Sequence, residues 1–520
     1  MLTESPKPPR SHSPLPDFPF LPWEILVDAA EFHGGVEPGA STYAGRQLAS
    51  CLPAHRAWAV EAAAGYLVAH GTEQRRRDPA ACPQTVPVMS RWIAFNGGDR
   101  PDGRGVDQYE LSAWGRQYAS VDGAVRELWI PSLGTARPIR PLSELVAAAS
   151  VLALGDPTDA DYYYERWRPR RPIPRRPGRV RVLGVGLADG SVRLLRDGDT
   201  GVVADWSVDE VRGLFERHVG PRISEVLDGR GRRPNQDCVK CKLLHSCPSV
   251  RRAPGLLGVS RPAQPRKRRT VSVSDLRTHR DCPARYYLTR VLKLRPGGRE
   301  SLAIRRGRAV DAWLNERHAD PARVPCRRVP LPTALPGLDE HELDGAREMI
   351  RQHRRHCPFD RIDQGERCVP QKRLTVYDPK ADVVVVADCD LLHTERGGVV
   401  LRETKTSARP PRGRPTLLER YPQLALGVLL MESGALGGDL RRSRVELEVL
   451  RTDGASEEEL SPADPGHVSA ARAVLESYTA AWAADTAYAA APRAGFDCGE
   501  CEALRWCATG RARTEGAENE

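Results

Sequence analysis

VVVVADCDLLHTERGGVVLRETK, residues 383–405, decides how this chain is read. An apolar run, Val383–Ala387, leads into Asp388-Cys389-Asp390. A bend follows at Glu395-Arg396-Gly397-Gly398, and a second apolar run carries Glu403 and Lys405. Valine-rich runs flanking a glycine bend predict two paired strands. Alternate strand residues share a face, so Glu403 and Lys405 point the same way as Val399 and Leu401. The hairpin can bring Asp390 beside them.

Two carboxylates and one ammonium at a strand end have a chemical rationale. Carboxylates with water suit Mg²⁺ or Mn²⁺, and a cation between them relieves their repulsion. Such an ion polarises a phosphodiester and acidifies a bound water. A nearby lysine can position that water and stabilise developing charge. By spacing alone the pair reads as a surface Glu-Lys contact worth about 0.2–1 kcal/mol. The order of the neighbouring motifs decides against that.

Working outward, VSVSDLRTHRDCPARYYL (271–288) places one Cys-Pro between two helices. Ser274 is the expected N-cap of the first, and Pro283 opens the second. IRRGRAVDAWL (304–314) lies within a helix expected over Ser301–His318. After the hairpin come an apolar helix, Thr416–Met431, a strand, Arg444–Thr452, and a long helix, His467–Ala491. Cys498-x2-Cys501-x5-Cys507 closes the series.

The same spacing occurs in the first half, as Cys238-x2-Cys241-x5-Cys247, and an aspartate precedes each triplet. Before it lie a helical stretch over Arg46–His70, a hairpin over Tyr109–Ile130 turning at Asp122-Gly123, and an alanine-rich helix, Leu142–Leu154. Two strands around Ala188-Asp189-Gly190 and a helix over Ser207–Leu227 follow. AVRELW (124–129) sits where VVLRETK (399–405) sits, which predicts a diverged tandem duplication. In that alignment Glu127 meets Glu403, Trp129 replaces the lysine, and Arg116 or Gln117 lies near the place of Asp390. The first copy is therefore expected to be inactive. Trp114, Arg116 and Tyr118 could clamp a strand of nucleic acid or fill a core, and the core is favoured.

Three thiolates in one short loop bind zinc or iron–sulfur, and spacing leaves both open. The fourth ligand of the first triplet is Cys51 or Cys82, with Cys51 preferred for the helix that follows it. Cys326, Cys357, Cys368 and Cys389 are expected to have no ligand role.

As an ordered set, these motifs resemble the RecB-type branch of the PD-(D/E)xK nucleases over roughly residues 270–510. They are most similar to members with an iron–sulfur staple, such as the AddB nuclease domain and the CRISPR-associated RecB-like exonucleases. The resemblance implies a restriction-endonuclease-like α/β fold, a mixed sheet flanked by helices. It implies Asp390 and Glu403 as ligands of Mg²⁺ or Mn²⁺, Lys405 as the catalytic lysine, and Gln423 as an orienting residue. Cys282, Cys498, Cys501 and Cys507 would hold a [4Fe–4S] cluster, with Cys238, Cys241, Cys247 and Cys51 as a second set. Where the family carries a metal-binding histidine four residues after a glycine, this chain has Gly307 and Asp311. Its tyrosine four after the glutamine is Gly427 here. These departures keep a second function class open, a non-catalytic nucleic-acid-binding or scaffold protein.

The implied organisation is a disordered arm (1–25), a degenerate nuclease-like domain (26–250), a basic Pro-rich linker (251–270), the nuclease domain (271–510) and a tail (511–520). DNA is the expected partner, with a helicase or another repair or defence protein as a further candidate. At 520 residues the chain exceeds one ordinary core. Its charge of +10 suits a polyanion, although an arginine-rich composition also follows from a GC-rich genome. Only 8 of the 78 basic residues are lysine, which sharpens the meaning of Lys405. No apolar run reaches membrane-spanning length, and the Pro-rich start lacks a secretory core. A cytoplasmic location is expected, where clustered cysteines more often bind metal than form disulfides.

Overall fold

A computed structural model describes residues 20–517 apart from 79–81, 100–105, 159–174, 229–230, 262–266, 295–300 and 408–415. Residues 1–19 of the Pro-rich start lie outside the described residues. The chain divides into two compact units. The N-terminal unit draws on 14–231, 288–297 and 497–520, and the C-terminal unit on 232–287 and 298–496.

In the N-terminal unit, β1 (Thr85–Pro87), β2 (Arg116–Ser120) and β3 (Val125–Ser132) run antiparallel in sequence. The β2–β3 turn forms because Gly123 takes a φ of 71° and Asp122 Oδ1 accepts the Ala124 amide. Helix α1 (Leu142–Leu154) then crosses the sheet, and β4 (Arg179–Gly186) returns parallel to β3. β5 (Val192–Leu194) pairs antiparallel with β4. The small side chain of Ala149 lets α1 lie close to the sheet, where Leu145, Val146 and Leu152 share a core with Leu128, Val180 and Val182.

The C-terminal unit repeats this order. β6 (Cys368–Asp378), β7 (Val383–Glu395) and β8 (Gly398–Thr406) are successively antiparallel. Its helices are α2 (Val273–Asp281), α3 (Leu302–Ala319), α4 (Glu340–His353), α5 (Pro422–Glu432) and α6 (Pro465–Ala484). α5 follows β8, and β9 (Arg444–Leu450) returns parallel to β8, with β10 (Ala455–Leu460) antiparallel beyond it. Each unit thus has three antiparallel strands, a helical crossover, a parallel strand and an antiparallel edge partner. The architecture is the mixed sheet flanked by helices that the motifs implied, present twice.

Several local expectations need correction. Ser272, not Ser274, caps α2, because its hydroxyl takes the Asp275 amide while Asp275 reaches back to the Ser272 amide. The helix expected over Ser207–Leu227 is two, Val208–His218 and Gly220–Asp228, consistent with Pro221, whose ring disfavours a continuous helix. α6 stops at Ala484 rather than Ala491, because Asp485 Oδ1 takes the Ala487 and Tyr488 amides and turns the chain. The stretch expected to be a linker is partly built in. Asp378 accepts the amides of Gly255 and Leu257, and Leu256 and Leu257 are buried. Cys238 and Cys247, expected to close the first half, pack with Leu244 and Val250 on Tyr377, Val384 and Val386 of the C-terminal sheet.

A buried histidine in β7 gives a first prediction. His393 is 1% exposed and neither ring nitrogen finds a hydrogen-bond partner. Burial pushes its pKa down from 6.5 to about 4; Glu446 opposes this, and Arg402 and Arg444 add to it. The neutral ring is favoured in the fold, so its stabilising share is complete above about pH 6.5 and is lost as pH falls towards 4, by roughly 3 kcal/mol. Urea midpoints of wild type and His393→Leu should therefore converge, or cross in favour of the variant, between about pH 7 and pH 4.5. A constant difference across that window contradicts the assignment.

Candidate active site

The hairpin delivers the expected side chains to one place. Arg396 and Gly397 take φ values of 51° and 84°, so the bend twists with the strands and fixes the register Leu391 opposite Arg402. One step further along that register sets Asp390 opposite Glu403. Asp390 Oδ2 accepts the Thr404 amide at 2.7 Å. Lys405 Nζ lies 2.8 Å from Glu403 Oε2 and 3.4 Å from Asp390 Oδ2. Burial pushes Glu403 up to about 7; Asp390 and Asp311 add to this and Lys405 opposes it. Burial works against a charged Lys405, but Glu403 and Asp390 outweigh it and hold the ammonium firmly protonated.

Asp311 belongs to the same group. Gly307, one turn earlier on α3, lies so close to the end of β8 that a Cβ there would stand 2.7 Å from Thr406 Oγ1. Burial raises the Asp311 pKa, and the field of Asp390, which this approach brings near, adds to it. Asn315 holds one carboxylate oxygen at 3.1 Å and Gln371 the other at 3.3 Å. Gln371 escaped sequence reasoning. It takes a φ of 47° and drops out of the β6–β7 ladder between Pro370 and Lys372, the position facing Asp390. A non-glycine residue held in that region beside a carboxylate cluster marks a site that its surroundings enforce. Proline followed by a polar residue in a strand was the available signal.

An open cleft of about 490 Å³ adjoins this group. Glu403, Lys405 and Gln423 line it together with Ser272, Arg277 and Thr278. Gln423 is a half-exposed polar residue at the start of α5, which is buried from Leu424 to Met431. Gly427, where the resemblance would put tyrosine, packs α5 on the sheet: a Cβ there would meet Val445 at 3.2 Å and Leu401 at 3.4 Å. The donor set is all hard oxygen and already attracts a cation, the Lys405 ammonium, so it fits Mg²⁺ or Mn²⁺.

The corresponding place in the N-terminal unit is closed. Glu127 is fully buried and holds Arg77 at 3.0 Å and Arg181 at 2.7 Å, with Thr85 and Trp129 also donating to it. The residue opposite Glu127 is Tyr118, not Arg116 or Gln117. Arg116 instead pairs with Asp28 and Glu31. Tyr118 is buried against Tyr66, and Trp114 Nε1 donates to Glu24 at 3.1 Å. Arg116 and Tyr118 serve internal structure, as the favoured reading expected.

Among the thiols, Cys282 ends α2 and is buried in the C-terminal unit, whereas Cys498, Cys501 and Cys507 belong to the N-terminal unit. Cys238, Cys241 and Cys247 belong to the C-terminal unit and Cys51 to the N-terminal one. The Cys51 thiol donates to Gln47 O at 3.2 Å, and Cys82 Sγ accepts from Arg181 at 3.0 Å. Cys326 and Cys357, expected to have no ligand role, stand with His318 and His353. In this buried group, ligand atoms of all four residues lie within 4.8 Å of one another.

Residues 270–508 match the family model of the PD-(D/E)XK nuclease superfamily. No curated protein matches the chain. A solved structure described as "Crystal structure of SSO0001" is 16% identical, covering 46% of this chain and 86% of its own, with a TM-score of 0.24. That likeness is too slight to carry an argument. No helix among the described residues is long and apolar enough to cross a membrane.

Proposed function

We propose that residues 270–508 form a divalent-metal-dependent deoxyribonuclease. The observation that carries the reading is the meeting of Asp390, Glu403 and Lys405 at one edge of a cleft lined by Gln423 and the exposed Arg277. Asp390 and Glu403, with Asp311 beside them, would hold Mg²⁺ or Mn²⁺. The ion would polarise the scissile phosphodiester and lower the pKa of the attacking water. Lys405 orients that water and meets charge on the phosphoryl oxygens. Gln423 and Arg277 position the strand, and the basic excess draws DNA in with a steep salt dependence.

Labelled single- and double-stranded DNA tests the proposal. Cleavage is expected with Mg²⁺ or Mn²⁺, to stop with chelator and to return when metal is restored. Salt-sensitive binding with no turnover under any divalent ion would replace this reading with a non-catalytic DNA-binding protein.

The cysteine triplets are part of the proposal. Cys282, Cys498, Cys501 and Cys507 would hold a [4Fe–4S] cluster, and Cys238, Cys241, Cys247 and Cys51 a second. Their identical spacing supports this, as do amides directed at sulfur: Leu243 N to Cys241 at 3.4 Å and Gly510 N to Cys507 at 3.3 Å. Such N–H groups stabilise thiolates on a metal. Anaerobic purification with absorption spectra and iron analysis decides between iron–sulfur and zinc. A reducing, cytoplasmic setting suits either.

A further inference from the structure

We infer that His318, Cys326, His353 and Cys357 bind a structural zinc ion, separate from both cysteine triplets and from the carboxylate site. His318 lies in the last turn of α3, and Cys326 opens the short turn Cys326–Arg328. His353 ends α4, and Cys357 precedes the turn Pro358–Asp360. The four are 7%, 0%, 0% and 2% exposed. His318 Nε2 is 3.7 Å from Cys326 Sγ and 4.0 Å from Cys357 Sγ. A tetrahedral zinc site with ordinary Zn–S and Zn–N lengths sets its donors about 3.3–3.8 Å apart. The cage is already close to that size.

The hydrogen bonding of His353 supplies an independent observation. Its Nδ1 lies 2.9 and 3.0 Å from the two oxygens of Glu448. A carboxylate only accepts, so Nδ1 carries a proton and Nε2 is the nitrogen left to bind an ion, once any proton it holds is displaced. Nε2 is buried and makes no well-formed hydrogen bond, and besides Glu448 the ring interacts with the Cys357 thiol, itself one of the four. A carboxylate behind an imidazole that meets a thiol of the same group on its other side is the arrangement that orients a histidine on zinc.

Charge selects the ion. Two thiolates and two neutral imidazoles cancel the charge of Zn²⁺, so the assembly can be buried without a net charge. Binding releases one proton from each thiol. The mixed sulfur and nitrogen set suits tetrahedral zinc over magnesium or manganese, which keep to oxygen. The ion would tie α3 to α4. Glu448 extends the link, because Thr404 Oγ1 donates to it at 3.2 Å while the Thr404 amide holds Asp390. Asp311, seven residues before His318 on α3, would be anchored by the same ion.

Metal analysis of the full chain tests the inference. His353→Ala and Cys357→Ser should each lower zinc by one equivalent per chain and leave iron unchanged. Glu448→Gln should keep all four ligands but weaken zinc retention against a competing chelator by about 10–100-fold. Should the ligand variants fail to fold, zinc-edge X-ray absorption on wild type remains decisive, with a shell of mixed sulfur and nitrogen expected. Unchanged zinc in folded ligand variants, a shell without nitrogen, or a Cys326–Cys357 disulfide in freshly isolated wild type would overturn the inference.

Discussion

Lys405→Ala is expected to cut DNA cleavage by roughly 10²–10³-fold, the usual loss when one preorganised donor to a transition state is removed. DNA binding should change little, because Lys405 is one cation beside Arg277 and the wider basic surface. Divalent-ion binding should tighten, since the ammonium now shares Glu403 and Asp390 with any incoming metal. That combination, slower turnover with firmer metal retention, separates a chemical role from a folding defect. A misfolded variant would lose metal as well. Single-turnover cleavage alongside a calorimetric Mn²⁺ titration reads both quantities. Undiminished turnover would remove Lys405 from the chemistry.

Arg402→Ala is expected to destabilise the C-terminal unit by about 3–5 kcal/mol. Arg402 is 1% exposed and lies 2.6 Å from the buried Glu446, 3.3 Å from the buried Glu448 and 2.6 Å from the half-buried Glu457. It also donates to His356 O at 2.9 Å. Removing the guanidinium takes the central cation from three acids, with Arg444, Arg361 and His353 still set against them. The loss arises from the under-compensated charges rather than from one strong bond, so adding Glu446→Gln should recover part of it. Chemical denaturation of the single and double variants measures this coupling. A loss below about 1 kcal/mol would mean that water reaches the cluster.

Much of the site was legible because the hairpin carries its own instructions. Alternation fixed the shared face of Glu403 and Lys405, and the glycine bend fixed the register that brings Asp390 to them. The repeated strand order was legible for the same reason, since Asp122-Gly123 and Arg396-Gly397 punctuate corresponding hairpins. The stretch between α3 and β7 was not. Pro370 and the mixed polar run Gln371-Lys372-Arg373 hide β6, and α4 (EHELDGAREMIRQH) carries few apolar residues along its length. His318 and Cys326 are eight residues apart and His353 and Cys357 four, and 27 positions separate Cys326 from His353, so the four never form one compact motif. Only tertiary folding closes the gap between them. The alignment of the first half slipped by one or two residues near Arg116 because cross-strand partners depend on turn length.

The two units answer one electrostatic problem in different ways. A carboxylate sealed beneath a sheet needs a counter-charge, and in the N-terminal unit Arg77 and Arg181 supply it from the chain itself. A guanidinium fixed by covalent bonds cannot be chelated, diluted or swapped for another ion. That half of the molecule holds a permanent counter-charge where the other, on the proposed reading, would take a reversible one, so its frame should stay indifferent to divalent-ion supply.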